Sequence, residues 1–161
     1  MNIRHATDAA ADAIWRVIEP TIRAGATYTL DPAMSREAAL RYWLGPDKET
    51  FVAERDHLLV GTYYIRANQA GGGAHVANCG YMTAAESQGK GVARAMCEHS
   101  IAHARERGFK AMQFNFVVSA NQRAVRLWHS MGFETVGRLP LAFRLPSGEY
   151  VDALVMFRAI G

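Results

Sequence analysis

The stretch from Tyr81 to Met96, YMTAAESQGKGVARAM, limits the folds open to this chain more than any other. It reads as a strand, a short turn and a helix whose first turn holds Gly89, Lys90 and Gly91. The first N–H groups of a helix have no acceptor within it, and the positive end of the helix dipole lies at the same place. Glycines at 89 and 91 let an anion approach that backbone with no Cβ in the way, and Lys90 adds positive charge. The expectation is a pyrophosphate cradle between a strand and a helix. The bland alternative is an ordinary glycine-rich turn.

Two familiar cradles fail on spacing. A phosphate loop of the G-x-x-x-x-G-K-[ST] type needs a hydroxyl after its lysine, and Gly91 follows Lys90. A dinucleotide fingerprint, G-x-G-x-x-G, needs glycine where Arg94 stands and belongs near the start of a βαβ unit. What remains is [QR]-x-x-G-x-[GA], met by Gln88, Gly91 and Ala93.

At 161 residues a single domain spanning 1–161 is expected. A net charge of +3 with no dense basic run argues against nucleic acid, while mild positivity suits a phosphate-bearing ligand. Cys79 and Cys97 lack metal-ligand spacing and the histidines are scattered, so no metal site and a reducing, cytoplasmic setting are expected. No apolar run has signal-peptide or membrane-spanning character, so no membrane partner is expected.

Along the chain, Asn2 to His5 reads as an edge strand. Thr7 or Asp8 caps a helix with Ile14, Val17, Ile18 and Ile22 inward, which Pro20 should kink or split. Gly25 to Pro32 is a loop carrying Tyr28. Ser35 caps a second helix burying Leu40, Trp43 and Leu44. Thr50 to Glu54 and Leu58 to Arg66 form a hairpin through Arg55-Asp56-His57, and Gly71 to Gly73 is a flexible loop. His75 to Thr83 is the strand that feeds the cradle. A helix from about Gly89 to Arg107, with Ala93, Met96, Cys97, Ile101 and Ala104 inward, crosses over to a parallel strand, Ala111 to Val118. Asn121 opens a helix with Ala124, Leu127, Trp128 and Met131 on one face. Phe133 to Arg144 and Tyr150 to Arg158 are the last strands.

The segment Asn121-x-x-Ala124-x-x-Leu127-Trp128-x-x-x-Gly132-Phe133 follows the cradle by about thirty residues. Together with the cradle and the element order, it resembles the Gcn5-related N-acetyltransferases (GNAT) over nearly the whole chain. That resemblance implies an α/β (α+β) fold. Its centre would be a mixed, twisted sheet of six to seven strands with a splayed fourth and fifth strand, accompanied by four helices. It implies acetyl-CoA as cosubstrate and direct transfer of an acetyl group to an amine in a ternary complex. Carried over, Tyr81, Met82 and Thr83 bond the pantetheine arm, backbone N–H groups of Gln88, Gly89, Lys90, Gly91, Val92 and Ala93 hold the pyrophosphate, Arg94 or Lys90 reaches the 3′-phosphate, and Asn121 contacts the arm while capping its helix.

The chain departs from the family where a tyrosine acid often stands, because Trp128 does not titrate usefully. Either no acid is needed, since a thiol of pKa ~8.5 leaves tolerably well, or Tyr28, Tyr63, Tyr64 or Tyr81 supplies one. Glu54, His57 and His75 are base candidates by position only, and deprotonation through ordered water is the preferred expectation. Asn78 and Asn115 lie inside strands, where asparagine is disfavoured. Asn115 sits between Phe114 and Phe116 in a strand expected to be buried. Either these amides make structural bonds or, with Tyr28, they line the acceptor site and act on the amine.

Short segments (Gly61 to Arg66, His75 to Asn78, Phe114-Asn115 and Val151 to Ala153) look like the acetyltransferases of proline analogues such as azetidine-2-carboxylate, known from yeasts. A small-molecule amine is therefore the expected acceptor. The alternatives are a peptide or protein amine, taken in a groove bordered by Gly71 to Ala74, and a non-catalytic acyl-CoA sensor. A homodimer is expected from exposed strand edges near the C-terminus.

Overall fold

Seven strands form a single mixed sheet in a computed structural model that describes residues 1–161. In chain order they are β1 (Asn2–His5), β2 (Glu49–Arg55), β3 (Leu58–Ala67), β4 (Val76–Thr83), β5 (Ala111–Val118), β6 (Glu134–Arg144) and β7 (Tyr150–Ala159). The helices are α1 (Ala11–Ala24), α2 (Arg36–Trp43), α3 (Val92–Glu106) and α4 (Gln122–Ser130). The spatial order is β1-β2-β3-β4-β5-β7-β6, and only β4 and β5 run parallel.

That parallel pair is brief. Only Val76 with Ala111 and Ala77 with Met112 are in register, and the His75 carbonyl accepts from the Lys110 N–H just before them. Beyond Ala77 the strands part, and the opening between them is the organising feature of the molecule. On its far side β5 bulges against β7 between Phe114 and Val117.

Each face of the sheet carries its own core. Alternation along β3 and β4 sends Tyr63, Ile65, Cys79 and Tyr81 toward α3 and α4, and Tyr64 and Met82 toward α1 and α2. Trp43 is fully buried in the second core, and its indole N–H donates to Thr62 Oγ1 at 3.0 Å. Gly80 is required by packing: a Cβ there would stand 2.5 Å from Tyr64 Cε2, so the Tyr64 ring lies across its backbone.

Several local expectations are corrected. α1 runs unbroken through Pro20, because the buried stripe Ile14, Val17, Ile18 and Ile22 outweighs one lost backbone bond. Thr7 caps a short 3-10 turn rather than α1, and its side chain makes no capping bond. Ser35 caps α2 as expected, accepting from the Ala38 N–H at 3.1 Å. Leu40 and Leu44 are only partly buried. Asp56 and His57, both at positive φ, make the β2–β3 turn. Within the expected loop between β3 and β4, Gly71–Gly73 form a single 3-10 turn. α3 begins at Val92, not Gly89, and Val92 takes the inward place expected of Ala93.

Candidate functional site

Between β4 and α3 the chain makes a short 3-10 turn, Ala85–Ser87, and then climbs into the helix through two glycines. Gly89 and Gly91 have φ of +74° and +80°, which L residues adopt at a cost of roughly 1–2 kcal/mol. Nothing lies within 4 Å of a Cβ on Gly91, so its conformation rather than crowding demands glycine. No backbone N–H from Gly89 to Arg94 makes a hydrogen bond within the protein; the first to do so is Ala95, to the Gly91 carbonyl at 3.1 Å. A run of unpaired donors at the start of a 15-residue helix is an anion cradle by geometry and by dipole.

The cradle opens into a cavity of about 710 Å³ that continues through the β4–β5 gap to the other face of the sheet. Tyr28, Asn78, Tyr81, Met82, Thr83, Gln88, Gly89, Gly91, Val92, Ala93, Arg94, Asn115 and Asn121 all line it, so the structure brings together nearly every residue singled out in the sequence. Lys90 is the exception among the residues expected to bind the cosubstrate or the acceptor. It is exposed outside the lining, and its carbonyl accepts from Arg55 Nη2 at 3.3 Å. The basic residue beside the cradle is instead Arg123, with Nη2 3.9 Å from where a Gly89 Cβ would stand. Its signal in the sequence is weak: an exposed arginine in the first turn of α4 reads as a solvated face. Arg94 is tied back to α4, donating to Ser130 Oγ at 2.8 Å and reaching Met131 Sδ at 3.2 Å. Asn121 caps α4 with Oδ1, accepting from the Ala124 N–H at 3.4 Å.

The edge of β4 along the gap corrects one expectation and adds a partner. Tyr81 turns both its backbone groups into the gap, so the neighbouring Met82 turns its own toward β3, as alternation in an antiparallel pair requires. Met82 therefore offers the gap a side chain only. The Tyr28 hydroxyl, from the loop after α1, accepts from the Tyr81 N–H at 2.8 Å and donates to the Tyr81 carbonyl at 2.5 Å. It satisfies a strand edge that would otherwise be bare.

Asn78 is buried where β4 and β5 begin to part. Its Nδ2 donates to the Gln113 carbonyl at 3.0 Å, bridging the widening strands, and its Oδ1 has no partner in the protein. Asn115 is exposed rather than buried, because the β5 bulge and the parting from β4 strip cover from that stretch. Both ends of its amide have a partner: Nδ2 donates to Asn68 Oδ1 at 2.6 Å, and Oδ1 accepts from Gln113 Nε2 at 2.9 Å. Asn68 and Gln113 are not legible as site partners, since nothing in their sequence context places them opposite Asn115.

Proton handling is sparse. Glu54 pairs with Arg4 at 2.6 Å, His57 lies in the β2–β3 turn and His75 is exposed; none lines the cavity. Tyr63 and Tyr81 point their hydroxyls into the α3 core, onto His99 Nδ1 and Ser100 Oγ at 2.7 Å each. Tyr28 and Tyr64 line the cavity, and burial raises both phenols well above their ordinary range. Trp128 packs on Phe114 and Tyr81, ring centroids 4.9 and 5.1 Å away, and its indole N–H has no partner in the protein. Cys79 also lines the cavity, but burial pushes its thiol up to about 12 and keeps it protonated, a poor nucleophile.

The family model of the Acetyltransferase (GNAT) family matches residues 14–133, and the chain belongs to that family. It is 29% identical over 151 residues to the N-acetyltransferase aca1 of Schizosaccharomyces pombe, covering 83% of this chain and 72% of that protein. A GCN5-related N-acetyltransferase from Kribbella flavida superposes with a TM-score of 0.92 at 40% identity, over 98% of this chain and 96% of that one. A phosphinothricin acetyltransferase from Sinorhizobium meliloti, solved in complex with acetyl-CoA, shares the fold with a TM-score of 0.87 at 21% identity, over 99% and 88% of the two chains. The protein is an N-acetyltransferase that uses acetyl-CoA. The unpaired donors from Gly89 to Arg94 and the unfilled gap beside β4 fit that cosubstrate's pyrophosphate and its extended arm.

Proposed function

We propose that this enzyme acetylates the amine of a small molecule by direct transfer, with both substrates held in the one cavity. The carrying observation is that unpaired backbone donors and the free Asn78 Oδ1 lie along the same cavity, on either side of the strand opening. In this reading the backbone from Gly89 to Arg94 grips the pyrophosphate, Arg123 adds charge there, and Tyr81 and Thr83 bond the arm. The Tyr28 hydroxyl yields the Tyr81 N–H, which then polarises the thioester carbonyl. The neutral amine attacks the carbonyl carbon, the C–S bond breaks, the thiolate leaves, and water takes the amine proton. Asn78 Oδ1 accepts from the amine and aims its lone pair. Trp128 packs the core and offers an N–H, not a transferable proton.

A small amino acid or proline analogue is the acceptor class favoured by the segments around Arg66, Asn78 and Asn115. Gly71 to Ala74, the expected border of a peptide groove, do not line the cavity. The test is thiol release from acetyl-CoA across a panel of amino acids, proline analogues, amines and peptides. Turnover confined to free small amines supports the reading, and turnover confined to peptides overturns it. A homodimer through the β6 edge belongs to the same proposal: Val136 and Leu141 on β6, and Tyr150 at the start of the adjacent β7, are each more than half exposed. Light scattering of a monomer at micromolar concentration would remove it.

A further inference from the structure

The charge on the cavity wall narrows the acceptor. Three cationic side chains line the cavity, Arg66, Arg94 and Arg123, and no aspartate, glutamate, histidine or lysine does. Arg94 and Arg123 belong to the cradle end, one bound to α4 and the other beside Gly89. Arg66 stands alone at the opposite end, on β3.

We propose that Arg66 anchors the carboxylate of the acceptor, so that the substrate is an α-amino or α-imino acid; this rests on the small-amine reading above. Arg66 and Asn78 are direct partners across the β3–β4 ladder, so their side chains leave the same face of the sheet with Cβ atoms about 5 Å apart. The guanidinium leans back along β3 and lies 5.7 Å from the centroid of the Tyr64 ring, which also lines the cavity. It is poorly neutralised. Its only carboxylate contact is Asp47 Oδ2 at 3.5 Å, and Asp47 turns both oxygens to Lys48 Nζ at 3.1 Å. A guanidinium has five donors in a planar fork that matches a carboxylate, and most of these remain free here.

The neighbouring acceptor atom, Asn78 Oδ1, is also free. A cationic fork beside one open carbonyl oxygen complements a carboxylate and an amine carried on the same carbon. A polyamine or other purely cationic acceptor would meet Arg66 at that end and no carboxylate on the cavity wall.

The test is steady-state kinetics of the wild type, Arg66→Gln and Arg66→Lys with azetidine-2-carboxylate, proline and glycine, each beside its carboxamide. Coenzyme A affinity, measured in parallel, confirms that the variants remain folded with an intact cradle. The wild type is expected to prefer the acids. Arg66→Gln should lose roughly 10–100-fold in kcat/KM for the acids, chiefly through KM, and less than about threefold for the carboxamides. Arg66→Lys should recover part of the loss, since it keeps the charge but not the fork. Equal loss for acid and carboxamide, or a wild type indifferent to the pair, overturns the anchor and leaves the small-amine reading standing. No thiol release with any of these compounds, from enzyme that binds coenzyme A, overturns the amino-acid acceptor, and silence of every small amine in the wider panel overturns the small-amine reading as well.

Discussion

The two ends of the cavity do their work with different parts of the chain. The cradle end is built from main chain: donors from Gly89 to Arg94, left unpaired by the helix start and aimed by two glycines at positive φ. The proposed acceptor end is built from side chains of separate elements, with Tyr28 from the loop after α1, Arg66 from β3, Asn78 from β4 and Asn115 from β5. Backbone donors recognise a phosphate whatever the surrounding side chains, so the cradle suits a common cosubstrate. Side chains converging from several elements can be exchanged singly, so in the proposed reading that end sets which amine enters.

Perturbing each end should produce opposite signatures. The largest effect is expected from Gly91→Val. A β-branched residue at φ +80° must shift the backbone, and turnover at limiting acetyl-CoA should fall at least about tenfold. Wild-type activity in this variant would remove the cradle from the mechanism. Asn78→Ala should lower kcat roughly tenfold, because the amine loses its acceptor and the Gln113 carbonyl its donor, with the KM for acetyl-CoA within about twofold of wild type. Asn115→Ala should cost less, as its amide is engaged by Asn68 and Gln113; a larger loss than at Asn78 would reverse their ranking.

Trp128→Phe tests the boundary between the ends. It keeps the ring packing and deletes the indole N–H, and kcat should change by less than about threefold if the thiolate leaves unaided. A hundredfold loss would assign that N–H a role on the leaving sulfur. The smallest effect lies outside the cavity, at His99. Burial, with help from His103 and His5, holds its folded pKa below the ordinary value near ~6.5, while Glu106 opposes the shift. As pH falls below about 6.5 the unfolded chain takes the proton first, so stability present above that pH is lost on acidification. The groups facing the imidazole are the Tyr63 hydroxyl, Phe51 and the His103 ring. Melting temperatures between pH 7.5 and 5.5 should fall less steeply in His99→Asn than in the wild type; parallel curves would exclude His99 as a contributor.

The same contrast explains what the sequence discloses. Glycines, a capping asparagine and helical periodicity are local signals, so the cradle, α4 and the order of the strands along the chain are legible in the sequence alone. The partners of the acceptor end are not. Asn68 reaches Asn115 across 47 residues and Tyr28 reaches Tyr81 across 53, distances over which no local pattern speaks. Arg66 reads as the last residue of a strand, and only the β3–β4 register sets it beside Asn78. Lys90 looks like a cradle cation because it lies between the glycines, yet the positive φ on both sides places it outside the cavity. Pro20 misleads for the reverse reason: a strong local rule yields to a buried helical face.

Calorimetric titration of coenzyme A into the wild type, Gly91→Val and Asn78→Ala tests the division of labour most directly. Binding should weaken by about tenfold or more in Gly91→Val and stay within about twofold in Asn78→Ala. Undiminished binding in Gly91→Val, or a comparable loss in both variants, would contradict a cosubstrate held by main chain at one end and an acceptor held by side chains at the other.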